Sequence, residues 1–338
     1  MRKYNIGIVG ATWAVWVEMI KCLEELQIPI WKLRLGWSTR SAGKIVETYL
    51  WKIEIKEVDN NFFENIDYAL FSAWWDISKE FAPVAVKSWA IVIDNSSYFR
   101  NDDEIPLVVS QINWNKILDA KIIANPNCTT AIASVVLHPI YKKYWIKKII
   151  MSTYQATSWW WAKAMAELSE NTKKYFSWEE PIIENFVDNI AFNVIPHIDK
   201  FQENWYTKEE MKVVWETQKI FWDKNIDISC TAVRIPTFRA HSESIVLETE
   251  KDVDIKDIKK ILEESIWVDL VDNILENKYP MPLYASWKNN VEVGRIRKNL
   301  VFWNKWIELF ISWDQLLRWA ALNAVEILEV CIKGKENK

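Results

Sequence analysis

The chain has 338 residues, half of them hydrophobic and 26 % charged, which is the length of two ordinary domains and the composition of a globular protein. A net charge of −4 excludes a basic surface for nucleic acid or anionic membrane, and no stretch of about 20 apolar residues is available to span a bilayer. There are only 6 glycines but 23 tryptophans, together 29 of 338 residues, where a typical content of about 7 % predicts about 24 glycines alone. Residues 4–9 form a short apolar run, and residues 14–27 have helical periodicity. Residues 33–35, 67–71, 90–93 and 121–124 are further buried strands, with a helix over 78–87. Apolar strands alternating with helices predict an α/β fold, a doubly wound parallel sheet covered on both faces. The second half predicts a helix from residue 128 to about 143, a strand over 147–155, and helices over 163–175 and 208–221. Strands follow over 229–235, 242–249, 291–296 and 307–312, in the manner of an α+β domain with a mixed or antiparallel sheet. A last helix over 314–330 returns to the first domain. The expected domains are 1–127 with 314–338, and 128–313.

The first strand runs into Gly10-Ala-Thr-Trp13-Ala-Val-Trp16 and then a helix. Strand, tight turn and helix N-terminus form the layout of a Rossmann-like dinucleotide site, in which backbone N–H groups receive a pyrophosphate. That turn needs glycines, because a Cβ keeps the backbone from the phosphate. Only Gly10 is present; with glycine at 13 and 16 the turn becomes Gly-x-x-Gly-x-x-Gly. Taken alone, it is equally an ordinary strand-to-helix turn. The second strand ends in Gly36-Trp-Ser-Thr-Arg40-Ser41. An NAD site favours an acidic residue there for the ribose 2′-OH; Arg40 with hydroxyl neighbours favours a 2′-phosphate, hence NADP. A solvated loop arginine is the plain alternative.

Cys22, Cys128, Cys230 and Cys331 are widely spaced, with no Cys-x-x-Cys pair, which fits a reduced, cytoplasmic setting; no metal site is expected. Cys128 follows Asn-Pro-Asn at the start of a helix, where the helix dipole stabilises a thiolate. A free cysteine is more often an inert core residue. Of three histidines, His138 lies inside a helix, His197 is ambiguous, and His241 stands between two strands near Arg234 and Arg239. A histidine at a strand end beside arginines suits a general acid/base with an anion site.

Together these segments resemble the aspartate-β-semialdehyde dehydrogenases along essentially the whole chain. The resemblance is carried in order by GATWAV, STRSAG, ALFSAWW, VIDNSSYFR, ANPNCTT, STYQATSW, FNVIPHIDKF, YTKEEMK, RIPTFRAHSE, VGRIRK and DQLLRWAALNAV. It implies Cys128 as the nucleophile that forms an acyl-thioester, His241 as the acid/base and Gln155 as a residue that orients the substrate. It implies Arg234 as the substrate-carboxylate ligand, Glu209 and Lys212 at the substrate amine and phosphate, and Arg100 at phosphate. The NADP site would be lined by Gly10, Thr12, Trp13, Ala14, Val15, Arg40, Ser41, Ser158, Trp159 and Gln315. The implied activity is NADPH-dependent reduction of 4-aspartyl phosphate to aspartate 4-semialdehyde and phosphate, a step toward lysine, diaminopimelate, threonine and methionine, by a homodimer or a dimer of dimers. Two other readings stay open: a non-catalytic homologue with a blocked cofactor loop, and a reductase of another acyl phosphate such as N-acetylglutamyl phosphate.

Trp13, Trp16, Trp74, Trp75, Trp89, Trp145, Trp159, Trp205, Trp287 and Trp319 stand where that pattern has glycine or where a turn calls for it. Some bacteria read UGA as glycine, and other codes read it as tryptophan. A gene of the first kind read by the second code produces this composition. It predicts that several of these tryptophans occupy tight turns, some with φ > 0.

Overall fold

The computed structural model describes residues 2–10, 13–39, 41–48, 52–117 and 119–336. The chain divides into two compact units, Met1–Asn127 with Trp319–Lys338, and Cys128–Arg318.

The first unit runs β1 (Tyr4–Gly10), α1 (Trp13–Glu25), β2 (Ile30–Trp37), β3 (Ile45–Glu47), β4 (Lys52–Glu57), β5 (Tyr68–Ser72), α2 (Trp75–Lys87), β6 (Ile91–Asp94), α3 (Ser110–Asn113) and β7 (Ile122–Ala124). Its seven strands are ordered β3-β4-β2-β1-β5-β6-β7, and all pairs are parallel except β3 with β4. The central strands read as unbroken apolar runs because both faces are covered; Ala69, Leu70 and Phe71 of β5 are fully buried. Strands β3 and β4 are not evident in the sequence. The Lys-Ile-Glu-Ile-Lys-Glu run of β4 alternates at the sheet margin, where one face meets water.

The second unit runs α4 (Cys128–Tyr144), β8 (Ile146–Gln155), α5 (Trp161–Phe176), α6 (Lys208–Phe221), β9 (Asp227–Arg234), β10 (His241–Thr249), α7 (Ile255–Glu263), β11 (Val268–Leu270), α8 (Pro282–Ala285), β12 (Val291–Asn299) and β13 (Trp303–Trp313). Its six strands are ordered β11-β12-β13-β10-β8-β9. The sheet is mixed, since β8 pairs in parallel with β9 and antiparallel with β10. One face carries the core: Ile149 and Met151 of β8 lie opposite Leu247 and Ile245 of β10, all buried. The other face is partly open at Ile150, Tyr154 and Phe310.

The chain closes with α9 (Ala324–Glu336), which belongs to the first unit. One continuous helix over 314–330 was the expectation; instead Arg318–Asn323 forms a wider π-type turn ahead of α9. Asn323 gives the local reason. Its side chain accepts from the Ser110 N–H (3.0 Å) and donates to the Val108 carbonyl (3.0 Å) and Asn125 Oδ1 (2.5 Å), all within the first unit.

Candidate active site

Four elements of the second unit end or begin at one place. Strand β8 ends at Gln155, β9 ends beside it at Arg234, β10 begins at His241, and α4 begins at Cys128. The register fixes the first pair, because Gln155 and Arg234 are direct partners on parallel strands. Ala156, the residue after β8, holds the next pair. Its N–H donates to His241 Nδ1 (3.0 Å), and its carbonyl accepts from the Arg234 guanidinium (2.5 Å).

The hydrogen bond at Nδ1 sets the histidine tautomer. An N–H donor at Nδ1 requires a lone pair there, so the neutral ring carries its proton on Nε2. His241 is buried, and burial together with the nearby Arg234 charge lowers its pKa to about 3. Its Nε2 has no hydrogen-bond partner among the described residues. Ala240, just before it, is buried with φ 64°, a left-handed backbone beside the site.

Gln155 is fully buried, and its amide donates to Thr129 Oγ1 (3.0 Å) and Glu209 Oε1 (3.1 Å). Glu209 Oε2 accepts from Lys212 Nζ (2.9 Å), which also binds Asp199 (3.0 Å). Glu209 and Lys212 are one helical turn apart on α6, so they share a face. The neighbouring Glu210 has a different task. It closes a capping box with Thr207 at the start of α6 and accepts from the Ala232 N–H (2.9 Å). Arg234 is buried, and burial lowers its pKa to about 10, against the opposing pull of Glu209 and Cys128. Cys128 is half-buried at the first residue of α4, its Sγ 3.8 Å from Thr129 Oγ1. The second unit therefore brings together Cys128, Gln155, Glu209, Lys212, Arg234 and His241.

Sequence reasoning did not single out Thr129, Ala156, Asp199 or Glu243. Glu243 is fully buried on the His241 face of β10, opposite Thr153, and burial pushes its carboxyl well above the usual carboxylate range. Ser158 and Gln315, both buried, join through the Gln315 amide and the Ser158 hydroxyl. Beside Gln315, Asp314 receives Arg239 and the Trp287 N–H.

The other expected residues, apart from Trp159 of the second unit, belong to the first unit. Arg100 donates to the Asn95 carbonyl (2.6 Å). Gly10 ends β1, and Val15 is buried on α1. Ser41 is half-buried, and its N–H donates to the Ser38 carbonyl (2.9 Å). Thr12 and Arg40 lie outside the described residues. Trp13 and Ala14 begin α1, and Trp159 lies in the short 3-10 turn Thr157–Trp160.

Two family descriptions match the chain: "Semialdehyde dehydrogenase, NAD binding domain" over residues 5–120 and "Semialdehyde dehydrogenase, dimerisation domain" over residues 137–318. The aspartate-semialdehyde dehydrogenase of Aquifex aeolicus is 44 % identical over 335 residues, covering 98 % of both chains. The chain belongs to the aspartate-semialdehyde dehydrogenase family. The Bacillus subtilis member is 42 % identical over 97 % of each chain. A crystal structure of aspartate semialdehyde dehydrogenase II from Vibrio cholerae, described as complexed with ASA, has a TM-score of 0.94 and 37 % identity, covering 98 % of this chain and 99 % of that one. The fold is thus that of the semialdehyde dehydrogenases, a Rossmann-like NAD-binding domain with a dimerisation domain, and the chain is an oxidoreductase of this type.

Proposed function

We propose that the chain reduces L-4-aspartyl phosphate to L-aspartate 4-semialdehyde and phosphate through an acyl-thioester on Cys128. The cluster of Cys128, Gln155, Arg234 and His241 at converging element ends carries this reading. The Cys128 thiolate, favoured at the N-terminus of α4, attacks the acyl carbon. The C–S bond forms as the C–O bond to phosphate breaks, and phosphate leaves. NADPH supplies the hydride when bound. His241, with its proton on Nε2, donates a hydrogen bond to the carbonyl oxygen as that oxygen gains charge. Collapse of the oxyanion expels the thiolate and gives the aldehyde. Arg234 offers the planar fork that suits the substrate carboxylate. Glu209, held between Gln155 and Lys212, suits the substrate ammonium, and Lys212 and Arg100 suit phosphate.

A dinucleotide reading of the first unit is supported by β1 ending at Gly10 and α1 beginning at Trp13, beside a largely parallel sheet. A choice of NADP over NAD rests on Arg40, Ser41 and the lack of an acidic residue at the end of β2. Gly10, Thr12 to Val15, Ser158, Trp159 and Gln315 complete the proposed cofactor set. The match to a dimerisation domain supports a homodimer.

The acylation half-reaction tests this reading without a nicotinamide. Mixed with 4-aspartyl phosphate, the protein should release about one equivalent of phosphate in a burst, and Cys128→Ala should release none. Faster release from N-acetylglutamyl phosphate would overturn the substrate, and an unchanged burst in Cys128→Ala would overturn the nucleophile.

A further inference from the structure

Where a helix stops or a hairpin turns tightly, one residue takes up left-handed backbone, and the cost of a Cβ there makes glycine the usual occupant. Among the described residues, fifteen other than glycine have φ > 0, and eight of those fifteen are tryptophan. With 23 tryptophans in 338 residues, about one of the fifteen would be expected by chance.

The hydrogen bonds show what these positions are. Helix α2 ends with Ala90 N–H bonded to the Ala85 carbonyl (3.0 Å) and Trp89 N–H to Val86 (3.0 Å). Helix α5 repeats the pattern with Glu179 to Lys174 (2.9 Å) and Trp178 to Tyr175 (3.4 Å). Helix α6 repeats it with Asp223 to Gln218 (3.1 Å) and Trp222 to Lys219 (3.4 Å). This paired bonding is the left-handed helix cap, and its left-handed residue is tryptophan each time, with φ 70°, 58° and 55°. Helix α4 ends on Trp145 with the single-bond form of the same cap. The loop from Gln202 to Tyr206 turns through three residues, and Trp205 holds the left-handed place that glycine takes in such loops. Nor does packing call for indoles here, since Trp178, Trp89 and Trp205 are 96 %, 88 % and 85 % exposed.

The same residue type lines the proposed cofactor cleft. At the ends of β1 and β2, the cleft is lined by Gly10, Gly36, Trp16 and Trp37, and Trp16 is buried in it. A dinucleotide meets a doubly wound sheet there, and it needs backbone rather than an indole.

We propose that the protein made in its own cell carries glycine at these left-handed caps and turns and at 13, 16 and 37, from UGA codons that the cell reads as glycine. Glycine at 16 and 37 opens the cleft to a dinucleotide phosphate, and glycine at 13 completes the Gly-x-x-Gly-x-x-Gly sequence; this second part rests on the cofactor reading above. Peptide mass spectrometry of the protein isolated from cells that carry the gene tests the first part. Glycine is expected at 89, 178, 205 and 222, with UGA in the gene; tryptophan in those peptides, or UGG codons, overturns it. NADPH titration tests the second part. The chain carrying Trp13→Gly, Trp16→Gly and Trp37→Gly should bind at least tenfold more tightly than the tryptophan chain. Glycine-bearing peptides with no gain in NADPH binding would overturn the cofactor reading of the cleft and leave the caps as glycine.

Discussion

The strand ends of the second unit and the first turn of the first unit use opposite materials. Around Gln155, buried Thr129 and Glu209 are tied to half-buried Lys212 and Asp199 by side-chain hydrogen bonds and ion pairs. Beside Gly10, the cleft is lined by the large side chains of Trp16 and Trp37. A catalytic cluster survives in the sequence because it is made of side chains. A phosphate turn is made of backbone, so its sequence record is the absence of side chains, and tryptophan erases that record.

Cys128→Ala should have the largest effect and remove phosphate-dependent NADPH formation to background; substantial residual turnover would mean that the second unit is not the reaction centre. Next comes Ala156→Pro, which removes the N–H that fixes His241 as the Nε2–H tautomer. It should lower kcat by roughly 10²-fold, the scale of a misplaced acid/base group, with the circular dichroism unchanged. An unaltered kcat would show that Ala156 does not set the histidine.

Stability sharpens the other side of the comparison. Relief of left-handed strain is worth about 1 kcal/mol per residue, so Trp178→Gly and Trp222→Gly should each raise the urea midpoint. A lower midpoint would mean that the indoles stabilise their turns. The smallest effect concerns pH. Burial lowers His138 to about 4 and His241 to about 3, from 6.5 in the unfolded chain. The unfolded chain thus binds protons first as pH falls, so their stabilising contribution is complete above 6.5 and declines toward about 4 for His138 and about 3 for His241. His138→Phe, beside the Phe221 ring, should lessen the loss of urea midpoint between pH 7.5 and pH 5; an unchanged loss would place the dependence elsewhere.

Much of the fold could be read from residue patterns, and the failures have physical causes. The buried parallel strands announce themselves because both faces are apolar. Strand β11 spans only three residues, and α7 repeats isoleucine and lysine without a strong start beyond Asp254. In the site, Cys128, Gln155, Arg234 and His241 were legible as residue types in motifs. Thr129, Ala156 and Asp199 were not, because their part lies in a backbone group or in a partner distant in sequence. The choice between Glu209 and Glu210 was available, since Thr207 with Glu210 is a capping-box spacing that assigns Glu210 to the helix end. The left-handed places of Trp178 and Trp222 are hidden because a helix end is not marked without its glycine, and those of Trp267 and Trp303 because Trp267 directly precedes a strand and Trp303 begins one, with no turn residue to announce either.

The acyl-enzyme itself is the most direct measure of the account. The protein mixed with 4-aspartyl phosphate, quenched in acid and digested should yield an aspartyl thioester on the Cys128 peptide. The step needs no nicotinamide, so it is independent of the tryptophans in the cleft. An unmodified Cys128 peptide alongside released phosphate, or the adduct on Cys22, Cys230 or Cys331, would contradict it.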